Sequence, residues 1–253
     1  MSRKTLHIAA ACVALAALSL LAPSAPTYDP YSWIIWGREI LHLDLVTDTG
    51  PSWKPLPVLF TTVFALAGDA APSLWLVVAR AGALGALALA YAMVRELGGG
   101  RLAAGAAALT LAVAPWWTVN NWLGNSEGLL VACALGAGLL HLRGRRHAAF
   151  AVAVAAGLLR PEVWPFLGLY GLWLAWTDRE SRLLVAGGFA LLPLLWLVPE
   201  QLGSGDLFRA ANRAQEDLTP GNAAVAEEPV REVLRINWEL LPVAVWTAAI
   251  AAT

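Results

Sequence analysis

Residues 53–66 read Trp-Lys-Pro-Leu-Pro-Val-Leu-Phe-Thr-Thr-Val-Phe-Ala-Leu. Whether this stretch crosses a membrane decides the topology of everything after it. It is apolar but short, against the ~20 residues that a transmembrane helix needs. The arginines further along settle the reading. If residues 53–66 do not cross, Arg95 and Arg101, then Arg143, Arg145 and Arg146, then Arg179 and Arg182 all fall on the inner side. If they do cross, each of those loops flips outward, against the tendency of Lys and Arg to stay cytoplasmic. The stretch is therefore predicted to be an interfacial or re-entrant helix, a half-span that protein or a wet cavity must cover.

Working outward, the chain of 253 residues is 58% hydrophobic and 14% charged, with mean hydropathy +0.61. Soluble domains carry about 25% charged residues. The predicted fold class is all-α, a polytopic membrane helical bundle with two interfacial helices in the first external loop. Spans are expected at about 5–22, 73–95, 101–118, 127–142, 147–160, 163–177 and 182–198, with an incomplete one at 239–253. They form a single transmembrane domain with external loops at 23–72 and 199–238. The last apolar run stops at Thr253, short of a span, so the sequence is read as a fragment. A cleaved leader is the competing reading of the first run, with Ala22-Pro23-Ser24-Ala25 after it. All the acids except Glu96, Asp178 and Glu180 then fall outside, on a face rich in tryptophan. In the external loop, Gly205 to Asp217 is expected to be amphipathic, Thr219 to Asn222 a turn, and Glu228-Pro229 the start of a helix.

Net charge −1 gives no reason to expect nucleic acid. Cys12 and Cys133 lie in apolar runs, so neither a disulfide framework nor a zinc site is supported. The histidines lack metal-ligand spacing, and Gly98-Gly99-Gly100 reads as an inner turn rather than a phosphate loop.

Polar clusters at the outer helix ends hold the candidates for chemistry. They are Tyr28-Asp29 with Trp33, Trp53-Lys54-Pro55, Asn120 to Glu127 including Asn125, and Arg160-Pro161-Glu162. Arg80 sits about two turns into its span, where a charge is costly unless paired or wetted. Asp29 and Glu127 suit a base or a divalent cation such as Mg2+ or Mn2+. Lys54, Arg80 and Arg160 suit a lipid phosphate, and the aromatic walls suit a sugar or a polyprenyl chain. Each has a plainer reading. Asp29 caps its helix, Lys54 snorkels, Arg80 pairs with Glu127 or Glu162, Arg160 and Glu162 form a surface ion pair, and Glu127 is a first-turn acid.

The order of these features resembles the GT-C superfamily of membrane glycosyltransferases, especially the branch of protein O-mannosyltransferases and lipid A aminoarabinose transferase. It runs from one span and an external acid through an interfacial helix to Lys-Pro-x-Pro, an arginine early in the next span and an external Asn-Ser-Glu loop, over roughly residues 5 to 176. Trp53 stands where that branch often has an acid, and Pro57 lies one residue beyond its second proline. The resemblance implies that Asp29 is the catalytic acid position, that Lys54 contacts the donor phosphate, that Arg80 matches the arginine of the next span, and that Glu127 is the second acid.

The expected function is transfer of a sugar from a polyprenyl-phosphate donor to an acceptor lipid, glycan or protein on the external face. Composition, rich in alanine, leucine and arginine, points to a bacterial plasma membrane, and Arg3 and Lys4 before the first apolar run keep the N-terminus cytoplasmic. The rivals are a transporter or flippase for a lipid-linked or anionic solute, and a non-catalytic scaffold. The scarcity of mid-membrane charge after Arg80 disfavours transport.

Overall fold

The computed structural model describes residues 3–216 and 223–239. Every regular element among them is helical. Chain packing divides the protein into two units, Met1–Arg209 and Ala210–Thr253.

In the first unit α1 (Arg3–Leu18) ends in a 3-10 turn at Ser19–Leu21 and packs on α4 (Ala71–Glu96). Between them lie α2 (Tyr28–His42) and α3 (Pro55–Phe64), joined by the irregular loop 43–54. α3 runs through a 3-10 stretch into α4, with a kink where Gly68 takes φ 57°. α5 (Arg101–Val113) and α6 (Pro115–Trp122) meet at 65°, where one straight span was expected. The cause is Pro115, which has no amide hydrogen and biases Ala114 to extended backbone (ψ 119°). α7 (Glu127–Leu142), α8 (Arg146–Gly157) and α9 (Trp164–Thr177) follow as an up-and-down series, and α10 (Arg182–Ser204) completes the unit.

Three helical stretches are long and apolar enough to cross a membrane, Arg3–Leu21, Pro55–Glu96 and Arg179–Ser204, or four if the bent α5–α6 pair is one span. Away from the charged residues at their ends, many of their exposed side chains are apolar; on α1 they include Leu6, Ile8, Val13 and Leu15. Such a surface is one that a bilayer solvates and water does not. The helices follow the predicted order, but α7, α8 and α9 have 16, 12 and 14 residues. At about 1.5 Å per residue each falls short of the ~30 Å hydrocarbon thickness.

α3 has 10 residues, about 15 Å, and packs along α2. The contact is close. A Cβ on Gly37 would lie 2.5 Å from the Thr61 carbonyl carbon, and the Thr61 hydroxyl donates to the Trp33 carbonyl at 2.6 Å. We expect Gly37→Ala to separate the two helices and cost about 1–3 kcal/mol, read as a lower melting temperature of the purified protein. Trp33 and Trp36 recur at helical spacing in the sequence, which predicts a helix lying flat in the membrane interface and anchored by its tryptophans; in the structure both are buried in protein. Trp33 meets Trp75 edge-on at 5.5 Å, and the Trp36 indole donates to the Val46 carbonyl at 3.0 Å. Indole can bury a large apolar body once its N–H has an acceptor.

α10 also departs from expectation. It continues through Pro199 to Ser204 and stops at Gly205, whose φ of 73° makes the left-handed cap. The loop therefore begins six residues later than predicted. α11 (Arg209–Glu216) starts beyond Leu207 and Phe208, both exposed. In the second unit α12 (Pro229–Glu239) opens at the predicted Glu228-Pro229 and carries Arg235 between Glu232 and Glu239. Asp217, the turn at Thr219 to Asn222 and the last apolar run lie outside the described residues.

Candidate functional site

Four segments far apart in the chain meet at one end of the first unit. The start of α2 is tied to the loop before α7 by Thr27 N–H donating to the Leu123 carbonyl at 3.0 Å. The Thr27 hydroxyl adds a contact at 3.3 Å to the Asn125 side-chain oxygen. The start of α3 is tied to the end of α8 by Leu56 N–H donating to the Leu158 carbonyl at 3.1 Å. Trp75 of α4 donates to the Gly124 carbonyl at 2.8 Å. These backbone ties bring the N-termini of α2, α3 and α7 together with the turn after α8.

The side chains follow. Lys54 Nζ lies 3.9 Å from Asp29 Oδ2, 3.5 Å from the Ser126 hydroxyl, and 4.8 Å from the centre of the Trp33 ring. Arg160 Nη2 donates to Glu127 Oε1 at 2.7 Å, and its Nη1 lies 3.7 Å from Glu162 Oε1. The second oxygen of Glu127 is buried with no hydrogen-bond partner. Asp29 is 40% exposed while Lys54 is only 10% exposed, so the acid opens outward over a sunken cation. Burial pushes the Lys54 ammonium below the usual lysine range. Arg160 pushes the same way, and Asp29, Glu127 and Glu162 pull it back.

Two of the plainer readings fall here. Thr27, not Asp29, is the N-cap of α2, and Asp29 stands in the first turn with its carboxylate turned to Lys54. Lys54 does not snorkel; it is buried. Arg160 does form the ion pair with Glu162, and it bonds Glu127 more closely as well.

Arg80 does not join the cluster. Its guanidinium donates to the Trp122 carbonyl at 2.7 and 3.2 Å, to the Ser19 hydroxyl at 2.7 Å and to the Ser24 hydroxyl at 2.6 Å, and it stacks 4.1 Å over the Trp122 ring. It is a clamp holding the end of α1 to α6, and its partners are hydroxyls and a carbonyl rather than the expected Glu127 or Glu162. Arg80→Met should lower the melting temperature through the orphaned Trp122 carbonyl, about 1–3 kcal/mol, and leave affinity for a lipid phosphate unchanged in the protein that remains folded. Trp53 is also structural. It is buried, meets the Trp36 ring at a 40° tilt with centroids 5.4 Å apart, and donates to the Leu195 carbonyl at 2.9 Å. Tyr28 is exposed at the rim, and Asn125 braces the loop by donating to Asn120 Oδ1 at 3.0 Å.

The two candidate metal acids each face a cation. Among the described residues no group of three or more His, Cys, Asp or Glu side chains is placed to hold an ion.

A second buried ion pair had no signal in the sequence. Glu200, fully buried in α10, lies 3.6 Å from Arg209 Nη1. Arg209 also donates to the Gly50 and Pro51 carbonyls at 3.1 and 3.3 Å, and Thr47 N–H donates to the Gly203 carbonyl at 3.1 Å. Together they pin the 43–54 loop that delivers Lys54.

Comparison of the chain with protein-family models, with curated proteins and with solved structures returns no significant match.

Proposed function

We propose that the protein is an integral membrane glycosyltransferase of GT-C type, moving a sugar from a polyprenyl phosphate to an acceptor hydroxyl on the external face of a bacterial plasma membrane. The observation that carries this reading is the convergence of Asp29, Lys54, Ser126, Glu127 and Arg160. An exposed carboxylate beside a buried cation suits attack by a hydroxyl at one end of a glycosyl–phosphate bond and charge relief at the other. Three helices also start at this site, and no side chain caps α2, α3 or α7. The three helix dipoles and the first-turn amides of α2 and α7 favour an anion; in α3, Pro55 and Pro57 carry no amide hydrogen and Leu56 N–H is given to the Leu158 carbonyl.

In the reaction the acceptor oxygen forms a bond to the anomeric carbon and gives its proton to Asp29. The bond from that carbon to the phosphate oxygen breaks, and polyprenyl phosphate leaves with the electron pair. Positive character at the anomeric carbon is steadied by the same carboxylate. Lys54 and Arg160 meet the charge that grows on the phosphate, and an interaction that strengthens towards the transition state is the kind that raises rate. Glu127 and Glu162 act as positioning residues, holding the Arg160 fork. External placement follows from the arginine-rich loops after α4, α7 and α9, which the positive-inside rule keeps cytoplasmic.

The test is purified protein in liposomes with a labelled polyprenyl-phosphate sugar and a panel of acceptors. Donor cleavage that depends on acceptor and on Lys54 is expected. Vesicle flux of a lipid-linked solute without cleavage would instead establish a transporter. The depressed Lys54 sets a pH signature. Below its pKa the ammonium is present to hold phosphate; above it the charge is lost and the rate falls. Lys54→Arg keeps its charge to higher pH, so the alkaline limb of kcat/KM should move upward even if the maximum drops.

A further inference from the structure

The far end of α7, α8 and α9 carries a different arrangement. Glu127 begins α7 and Leu142 ends it, so this end lies about 24 Å from the candidate site. A slot of about 500 Å³ runs between the three helices, lined by Ala137, Ala153 and Phe166 along its length and by His141, Tyr170 and Trp173 at this far end. A basic cleft of about 530 Å³, formed by Gly144 to Ala148 and Asp178, adjoins that end. Arg146 links the two. It lines the cleft, and its guanidinium lies 5.2 Å from the centre of the ring of Trp173, which lines the slot. His141 Nδ1 and the Tyr170 hydroxyl are 3.1 Å apart, which closes the slot with polar groups just where the basic cleft begins.

We infer that this slot and cleft are a binding site for an anionic glycerophospholipid of the inner leaflet, with acyl chain between α7, α8 and α9 and phosphate at Arg145 and Arg146. Charge decides the orientation and the occupant. At the candidate site Lys54 and Arg160 both face carboxylates. In the cleft His147 pairs with Asp178 at 2.7 Å, while among the described residues neither Arg145 nor Arg146 has a carboxylate partner. An uncompensated pair of arginines at the mouth of an apolar slot matches a lipid with one phosphate and a long tail, and basic pockets on the cytoplasmic side of helices bind such head groups. A donor tail descending from the candidate site would leave those two cations unanswered.

Native mass spectrometry of the full chain in detergent, titrated with phosphatidylglycerol or phosphatidylcholine of equal chain length, tests this without any assay of sugar transfer. Wild type should retain phosphatidylglycerol preferentially. The double substitution Arg145→Gln/Arg146→Gln, at exposed positions that leave the fold intact, should cut that preference by roughly twenty- to thirtyfold, at about fivefold per basic residue. Ala153→Phe should fill the slot and remove both lipids. Equal retention of the two lipids by wild type, or a preference that survives the double substitution, would overturn the site. So would displacement of phosphatidylglycerol by a polyprenyl phosphate whose binding depends on Lys54 and Arg160 rather than on Arg146.

Discussion

Asp29→Asn should lower sugar transfer by about 10²–10⁴-fold, the contribution typical of a general base, with little change in fold. The amide keeps the shape of the carboxylate, and Thr27 rather than Asp29 is the N-cap of α2, so no cap is lost. The defect should lie in kcat. Lys54 and Arg160 stay in place to hold the donor, while the acceptor hydroxyl loses the group that takes its proton. Single-turnover assays in membranes, with helicity followed by circular dichroism, check this. Near-wild-type transfer would eliminate Asp29 as the base. Glu127→Gln should behave differently, because Glu127 holds Arg160 at 2.7 Å. Its loss should raise the KM for the donor more than it lowers kcat.

The second large effect is on stability. Arg209→Met should destabilise the protein by about 3–5 kcal/mol, because it leaves the fully buried Glu200 carboxyl with no cation. The combined Glu200→Leu/Arg209→Met protein should recover most of that loss, since an apolar pair of similar size replaces two charges taken out of water. Hydrogen exchange should speed up in residues 44–52 of the single variant, because the Gly50 and Pro51 carbonyls lose their donor. A melting temperature unchanged in Arg209→Met would show that Glu200 is hydrated or protonated and that the pair does not pin the loop.

Much of the architecture was legible in the sequence because membrane helices are written in long apolar runs. Both ends of α7 coincide with the predicted span, since Glu127 and Arg143 bound it with charge. The shortness of α3 was legible from residues 53–66. Three features were not. The 65° break at Ala114–Pro115 needed the proline to outweigh the apolar pattern on either side. The run of α10 past Pro199 needed partners for its last turn, which Thr47 and Arg209 supply from far upstream in the chain and from just beyond the helix. The fate of Arg80 depended on which neighbours came within reach; Ser19 and Ser24 are unremarkable in a sequence until α1 is packed on α4. At the candidate site, the residue types at helix ends named the participants, whereas the pairings of Lys54 with Asp29 and of Arg160 with Glu127 needed the fold.

The central claim is that Lys54 and Arg160 grip one phosphate beside Asp29. Binding of a polyprenyl monophosphate to wild type, Lys54→Gln, Arg160→Gln and the double variant, measured by native mass spectrometry in one detergent, tests it most directly. Each single substitution should weaken binding about tenfold or more, and the double variant should fall short of the product of the two, as cations sharing a ligand must. Affinity that is indifferent to both substitutions would mean that no lipid phosphate sits there.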